Sequence, residues 1–387
     1  MDDADLSIVE RDPDLPVLGL LLDTARLDEE LAAAAGERAW SSVEVERLRY
    51  KVGTSVQASV ALSDDAGPVR RLRVAGYRRG RTDKLRKDIR WARSGGGLVA
   101  NSESGSWSAV APWADRHLGI GDRLAGHASD PSALQVLSYN PARRLVVRPT
   151  VGDGTGLLMK VHAPGTSKAP TATLHALAAA GAPIVPTSAE SGGTVRWSSW
   201  VDGRVAGPDV DGDAVADALE LLDRAAGGVP ARTWSSQDLS VRAGRALRTV
   251  GSLLPALAGA ASSLAADLDE ALRQLPAGAT SFLHGDLSPD QVIVPNSGGP
   301  VVLIDLDDCG RGPGGWDRAT WLASQVATGS VDPVPLPGPA PHPTLLSAAL
   351  AIRSPEPFQR RRVGWARTIE SMLAMSAAGL RARGGRA

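Results

Sequence analysis

The sequence predicts an α+β protein in which a strand-rich N-terminal part precedes a helix-rich C-terminal part. Residues 46–124 and 134–162 alternate apolar and polar positions between turn residues, a pattern typical of short antiparallel strands. After Asp209 the apolar residues recur with helical spacing over long stretches. A chain of 387 residues is too long for one small core, so we expect two or three lobes. We divide it into a strand-rich N-terminal cap or extension (residues 1–125) and two further parts, residues 126–204 and 205–387.

The first part begins with an acidic leader and a predicted helix, ARLDEELAAAAGERAW. RLRYKVGTSVQASVAL and VRRLRVAGY alternate well enough to predict a hairpin. TDKLRKDIRWARSGG predicts a short helix that ends at glycines. LVANSESGSWSAVAPW predicts two more strands with a turn at Ser104–Gly105.

The second part predicts three strands, ALQVLSY, RRLVVRPTV and LLMKVHA, separated by NPA and GDGTG turns. A helix, PTATLHALAAAGAP, ends at Gly181, and TVRWSSWVDGR predicts a strand that leads into a tight turn. The third part is mostly helical, from DGDAVADALELLDRAAGG through the long run SSQDLSVRAG…LDEALRQL. Its later helices are GWDRATWLASQVATG, TLLSAALAI and a basic helix from about Pro355, with a proline-rich linker, DPVPLPGPAPHP, between the first two.

Composition excludes several classes of protein. The formal net charge of -1 gives no electrostatic reason to expect a nucleic-acid partner. A single cysteine, Cys309, cannot form an internal disulfide, which fits a reducing cytoplasm. The acidic N-terminus is unlike a signal peptide, and no apolar run is long enough to span a bilayer. We therefore expect a soluble, cytoplasmic protein without a membrane partner.

The stretch FLHGDLSPDQVIVPNSGGPVVLIDLD, at 282–307, carries the clearest chemical signal. Asp286 follows an apolar run that can end a strand, and Asp305 ends a second run, VVLI. A hairpin with its turn at SGGP would bring Asp286, Gln291 and Asp305 to the same end. Two carboxylates and an amide carbonyl form a hard oxygen site, which suits Mg²⁺ and a bound phosphate. Asp307 either contacts a second metal ion there or is a solvated, helix-capping residue.

Lys160 is the second chemical signal, because it lies in the otherwise apolar strand LLMKVHA. A lysine in such a strand is costly unless its ammonium group meets an anion, and ATP phosphates would supply one. The alternative is a lysine at a sheet edge that points to solvent.

One series of motifs resembles the aminoglycoside phosphotransferase and choline kinase family of small-molecule kinases. The series is HGDLSPDQ, followed by VVLIDLDD and GGWDRATWLA. The resemblance covers about residues 134–325 and implies a protein-kinase-like bilobal fold. Residues 126–204 would then be a kinase-like N-lobe with its hinge. Residues 205–387 would be a helical C-lobe with the catalytic and metal-binding loops.

The resemblance also implies a role for each matching residue. Asp286 would accept or orient the proton of the acceptor hydroxyl, with His284 hydrogen-bonding the catalytic loop. Gln291 and Asp305 would hold Mg²⁺, Lys160 would contact the α- and β-phosphates of ATP, and Asp317 would brace the catalytic loop. The adenine would meet the backbone of the hinge, Trp197–Val201, which includes Ser199, Trp200 and Val201.

Departures from the family pattern bear on substrate and activity. Gln291 stands where the family usually has Asn, and this feature, with the N-terminal cap, is similar to the maltokinase and glucosamine kinase branch. A sugar or aminosugar acceptor is therefore expected first. An aminoglycoside or other antibiotic is the alternative, which the basic C-terminal helix disfavours.

Two other family features have no counterpart in the sequence. NPARR replaces the glycine-rich loop, so Arg143 or Arg144 would contact phosphate instead. The helix after Lys160 contains no Glu to pair with it. Both departures favour a third possibility, a nucleotide-binding pseudokinase with a regulatory role.

Overall fold

The computed structural model divides the chain into two compact units. It describes residues 1–36, 38–64, 67, 69–102, 104–120, 134–149, 156–165, 169–189, 194–276, 278 and 280–384, with side chains described up to residue 382. The first unit comprises Met1–Ser167, Ala189–Trp197 and Gln359–Arg361, and the second comprises Lys168–Ser188, Ser198–Phe358 and Arg362–Ala387. The predicted boundary at 125/126 and most of the GDGTG turn lie outside the described residues. The division into three parts stays a prediction.

The N-terminal sheet of the first unit is antiparallel and carries helices before and within it. Its strands are β1 (Ser42–Lys51), β2 (Ser55–Ser63), β3 (Arg70–Tyr77), β4 (Leu98–Asn101) and β5 (Trp107–Val110), and its helices are α1 (Asp3–Arg11), α2 (Val17–Leu22), α3 (Thr24–Ala35) and α4 (Thr82–Ser94). The order of the described strands is β1-β2-β3-β5-β4. The predicted hairpin, the next strand and the glycine-terminated helix are confirmed. α3 ends earlier than predicted because Gly36, at φ 78°, adopts the left-handed conformation that terminates helices.

A buried charge cluster ties α4 to this sheet. Arg73 of β3 and Asp88 of α4 are each 1% exposed at the side chain, and their Nη2 and Oδ2 atoms lie 2.9 Å apart. The Tyr77 hydroxyl donates to the same carboxylate at 2.8 Å, and Arg116 pairs with its other oxygen. Both oxygens of the buried carboxylate thus accept hydrogen bonds.

A second sheet has the order β6-β7-β8-β10-β9. Its described strands are β6 (Leu134–Asn140), β7 (Arg144–Pro149), β8 (Leu157–His162), β9 (Thr187–Ala189) and β10 (Val195–Ser199), with α5 (Thr171–Ala179) between β8 and β9. β6, β7 and β8 pair antiparallel and bury residues such as Leu145, Met159 and Val161 in one core. The three predicted strands are confirmed.

Helices dominate the second unit, as predicted. They are α6 (Gly212–Ala225), α7 (Ser236–Leu253), α8 (Ala258–Arg273), α9 (Trp316–Ala327), α10 (Pro343–Arg353), α11 (Glu356–Gln359) and α12 (Trp365–Gly384). The long predicted helical run after Ser235 forms two helices, because the chain turns through a short 3₁₀ segment at Pro255–Leu257. Ser235 begins α7 with a capping box, exchanging hydrogen bonds with Asp238 at 3.1 and 2.8 Å.

Small antiparallel sheets interrupt these helices. The described strands are β11 (Gly203–Val205), β12 (Thr280–Leu283), β13 (Val292–Pro295), β14 (Val302–Leu303) and β15 (Gly310–Pro313). β13 and β14 pair antiparallel as the predicted hairpin, with Val292 opposite Leu303. β12 pairs with β15. Among the described helices, none is both long enough and apolar enough to cross a lipid bilayer.

Candidate active site

The loop from His284 to Gln291, the HGD loop, connects β12 to β13 in the second unit. β12 is held by β15, where Leu283 pairs with Gly310. β13 is held by β14, and beyond the last strand pair the Ile304 N–H donates to the Gln291 carbonyl at 2.9 Å. Both ends of the HGD loop are therefore fixed by antiparallel pairing to the chain segment that carries Asp305.

Asp317, in the first turn of α9, accepts two backbone hydrogen bonds from the HGD loop. Its carboxylate oxygens lie 2.7 Å from the His284 nitrogen and 2.9 Å from the Gly285 nitrogen. The neighbouring Trp316 Nε1 donates to the Gly285 carbonyl at 3.1 Å. These contacts support the predicted bracing role of Asp317, because they hold the peptide groups directly before Asp286.

Gly285 is required by its backbone conformation and by its neighbour. Its φ of 91° is a backbone conformation that residues with a side chain rarely adopt. A Cβ atom there would also overlap the carbonyl oxygen of Asp308. The short segment after β14 therefore packs directly on the HGD loop.

His284 links the loop to the end of β14. Its Nε2 lies 2.7 Å from the Ile304 carbonyl oxygen, and since that oxygen can only accept, Nε2 carries the proton. Its Nδ1 is buried without a described hydrogen-bond partner. This geometry fits a structural role for His284 next to Asp305.

Gln291 has the property expected of a cation ligand. Its Oε1 is buried and has no hydrogen-bond partner among the described residues. A buried amide oxygen without a donor is costly, and a bound cation would satisfy it. Asp305 follows the end of β14 at φ 62°, a strained conformation typical of functional turns.

The remaining acidic residues of the segment differ in exposure. Asp307 is half-buried in a 3₁₀ turn, Leu306–Asp308. Asp308 is buried, lies 3.4 Å from Arg232 Nη2, and its carbonyl accepts from Trp234 Nε1 at 2.9 Å. No three described His, Cys, Asp or Glu side chains form a ready metal cluster.

Asp286 is paired with a residue that the sequence did not single out. Arg353, the last residue of α10, places Nη2 2.7 Å from Asp286 Oδ1, while the Asp286 side chain stays 39% exposed. The available sequence signal was a lone arginine that ends the apolar run TLLSAALAI. Such an arginine is also typical of a helix C-terminus, so its target could not be predicted.

Burial governs the electrostatics of both loop carboxyls. Desolvation raises the pKa of Asp286 above its ordinary value, and Arg353 partly opposes the rise. Burial likewise raises the pKa of Asp317, against the influence of His284 and the two backbone N–H groups. A raised pKa brings a carboxyl closer to the range in which it can exchange protons.

The predicted phosphate-contacting residues lie in the first unit. Lys160 is in β8 opposite Val146, half-buried, on the face opposite Met159 and Val161. Arg143 is exposed in the turn between β6 and β7, and Arg144 begins β7. The Ala142 N–H in that turn donates a hydrogen bond to the Asp115 carboxylate at 2.7 Å, so this N–H is already occupied within the protein and does not face a phosphate.

The predicted hinge residues lie where β10 ends. Ser199 is the last residue of that strand and is exposed, and Trp200 and Val201 are half-buried in irregular backbone before β11. Their contact with adenine stays a prediction.

Comparison with known proteins identifies the class of protein. Residues 142–334 match the family described as "Phosphotransferase enzyme family". No curated protein matches the chain. The matched residues include the HGD loop, the β13–β14 hairpin and Asp317. Over residues 142–334, just under half of the chain, the sequence matches this family of phosphotransferases, and the structure has the predicted α+β fold class.

Solved structures with a similar course of the chain include two choline-kinase relatives and one aminoglycoside phosphotransferase. A choline/ethanolamine kinase family protein from Mesorhizobium loti is 14% identical, with a TM-score of 0.46 over 67% of this chain and 98% of that chain. Choline kinase LicA from Streptococcus pneumoniae is 13% identical, with a TM-score of 0.47 over 69% of this chain and 99% of that chain. Aminoglycoside phosphotransferase APH(3'')-Id from Streptomyces rimosus is 16% identical, with a TM-score of 0.41 over 68% of this chain and 98% of that chain.

Proposed function

We propose that the protein transfers the γ-phosphate of ATP to a hydroxyl group of a small molecule, with a sugar or aminosugar as the leading acceptor. The observation that carries the proposal is the buried Oε1 of Gln291, which lacks a hydrogen-bond partner among the described residues and lies on the loop that presents the partly exposed Asp286. An unsatisfied oxygen ligand beside a catalytic carboxylate is the arrangement that a metal-nucleotide complex completes.

Each residue would have a defined part in the reaction. Asp286 accepts the acceptor's hydroxyl proton and aligns its oxygen for in-line attack. Gln291 and Asp305, with Asp307 as a further candidate, hold Mg²⁺, which when bound neutralises phosphate charge. Lys160, assisted by Arg143 or Arg144, contacts the phosphates of ATP, and the backbone at Ser199–Val201 contacts adenine. Asp317 and His284 keep the HGD loop in shape.

The pairing of the carboxylates near Asp286 favours a neutral or weakly charged acceptor. Asp286 and Glu356 both pair with Arg353, and Asp308 pairs with Arg232. A polycationic aminoglycoside needs free carboxylates for its ammonium groups, and these would have to leave their arginines first. A sugar hydroxyl makes no such demand, although an aminoglycoside remains the second candidate acceptor. A cytoplasmic location fits the requirement for ATP.

Thermal shift and product formation together test the proposal. We expect ATP with Mg²⁺ to raise the melting temperature, and ADP to form with at least one acceptor from a panel of sugars, aminosugars and aminoglycosides. Asp286→Ala should abolish ADP formation and keep the thermal shift, whereas the exposed-residue control Asp332→Ala should change neither. Stabilisation by ATP without ADP formation, over the whole panel, would favour the pseudokinase instead.

A further inference from the structure

We infer that Arg353 is a positioning residue for phosphate transfer: it holds the Asp286 carboxylate in a fixed orientation toward the acceptor hydroxyl. This inference rests on the proposed role of Asp286. The family match does not extend to residue 353, because it ends at residue 334. The assignment therefore depends on the geometry of the second unit alone.

One nitrogen of Arg353 contacts both the side chain and the backbone at the catalytic position. Nη2 lies 2.7 Å from Asp286 Oδ1, 3.2 Å from the Asp286 carbonyl and 3.3 Å from the Leu287 carbonyl. The first of these contacts fixes the carboxylate, and the other two fix the peptide groups that carry it. The guanidinium therefore restricts rotation of the Asp286 side chain relative to its own backbone.

The other terminal nitrogen is anchored by Glu356, the first residue of α11. Nη1 lies 3.1 and 3.3 Å from the two carboxylate oxygens of Glu356. The planar guanidinium thus bridges two carboxylates and cannot turn about its own axis without losing one of them. Glu356 sets the plane of the guanidinium, and the guanidinium sets the position of Asp286.

Burial makes a purely packing role for Arg353 costly. Its side chain is 5% exposed, and its Nε is buried without a described hydrogen-bond partner. A buried, incompletely satisfied guanidinium costs free energy that an apolar side chain in the same place would not cost. The pairing with Asp286 and Glu356 is the interaction that offsets this cost.

Several charged groups act on Asp286 from the elements packed around it. Arg353 and Arg242 favour its ionised form, whereas Glu356 and Asp308 disfavour it. Asp317 and His284 lie behind the loop, where His284 acts on Asp317. Neutralising Arg353 and neutralising Glu356 should therefore move the pKa of Asp286 in opposite directions, which a loss of folding or packing would not do.

The first test follows the Asp286 carboxyl by ¹³C NMR of aspartate-labelled protein, with its signal assigned from its loss in Asp286→Asn. We expect Arg353→Gln to raise the pKa of Asp286 by about 1 pH unit. Glu356→Gln should lower it, and Arg362→Gln, at an exposed arginine of the same region, should leave it unchanged. If Arg353→Gln fails to fold, Glu356→Gln decides, and an unchanged pKa of Asp286 in that variant overturns the inference.

The second test uses the pH dependence of ADP formation with the best acceptor of the panel. Arg353→Gln should lower kcat about 10- to 100-fold, keep the KM for ATP, and move the acid limb to higher pH. Arg353→Lys should recover only part of kcat, because an ammonium group cannot bridge both carboxylates. Full activity of the Asp286→Ala variant would contradict the proposed function itself. If Asp286→Ala is inactive and Arg353→Gln keeps the wild-type kcat and pH dependence, only the positioning role of Arg353 is contradicted.

Discussion

At the scale of single residues, the HGD loop contains buried polar atoms that have no hydrogen-bond partner in the described part of the chain. Gln291 Oε1 is the clearest, since it is buried and lacks a described donor. Such an atom destabilises the free protein and becomes favourable when a cation binds. The same residue should therefore have opposite effects on stability and on nucleotide binding.

Gln291→Leu tests this expectation. We expect the free variant to be more stable by about 1 kcal/mol, because the unsatisfied buried oxygen is gone. Its melting temperature should respond less to ATP and Mg²⁺ than that of the wild type, while the response to ATP in EDTA should be unchanged. Gln274→Leu, at the exposed glutamine directly after α8, serves as the control. A wild-type response to Mg²⁺ in Gln291→Leu contradicts a ligand role.

Single residues also mark how far sequence predicts the site. The β13–β14 hairpin, which joins Gln291 to the segment of Asp305, could be predicted from sequence because hairpin register is local. Arg353 could not, since 67 residues separate it from Asp286 and only the packing of α10 makes them neighbours. Local patterns predict neighbours along the chain, and helix packing adds partners that have no local signature.

At the scale of elements, the HGD loop depends on close approach of two backbones. Gly285 meets the Asp308 carbonyl at a φ of 91°, so the loop and the segment after β14 are built as one piece. The sequence predicted both strands of the β13–β14 hairpin, but it did not predict the contact between the HGD loop and Asp308.

Gly285→Ala should disrupt that contact. We expect a loss of about 2–4 kcal/mol in the free energy of unfolding, from the left-handed backbone and the overlap with Asp308. ADP formation should be lost even at temperatures where the variant is folded. Gly298→Ala, at a hairpin-turn glycine with open space around it, should lose stability through its φ alone and keep activity. Urea titration and ADP assays separate the two, and an active Gly285→Ala contradicts the account.

The buried cluster between β3 and α4 is the second element-scale feature. Burial raises the pKa of Asp88, but Arg73, Arg116 and Tyr77 together outweigh it, so the pKa lies below its ordinary value of 3.8. A carboxyl with a depressed folded-state pKa contributes stability that is complete above pH 3.8. That contribution is lost as the pH falls further, through the folded-state pKa.

Asp88→Asn should therefore cost about 2–4 kcal/mol near pH 7, because Arg73 and Arg116 lose a buried counter-charge, although Asp115 still acts on Arg73. The difference from the wild type should shrink as the pH falls below 3.8. Urea unfolding at several pH values measures both effects. Asp83→Asn, at an exposed position of α4, should change stability by less than about 1 kcal/mol. A constant difference across the pH range would contradict the predicted linkage.

At the scale of the whole molecule, the sequence predicted the order of strand-rich and helical parts, and the structure adds which sheets share a compact unit. The N-terminal sheet and the β6–β8 strands fall within one compact unit. Contacts between residues distant in sequence join them, such as the Tyr139 hydroxyl to Asp115 at 2.7 Å and Arg71 to the Val136 carbonyl. Alternation within each strand carries no information about which sheet lies beside which, so this grouping had to come from the structure.

The transfer of labelled γ-phosphate from ATP to an acceptor tests the central claim most directly. Wild-type protein with Mg²⁺ should give a phosphorylated sugar or aminosugar, identified by mass spectrometry, and Asp286→Ala should give none while ATP still raises its melting temperature. Equal transfer by wild-type protein and Asp286→Ala would contradict the assignment of the HGD loop as the catalytic site.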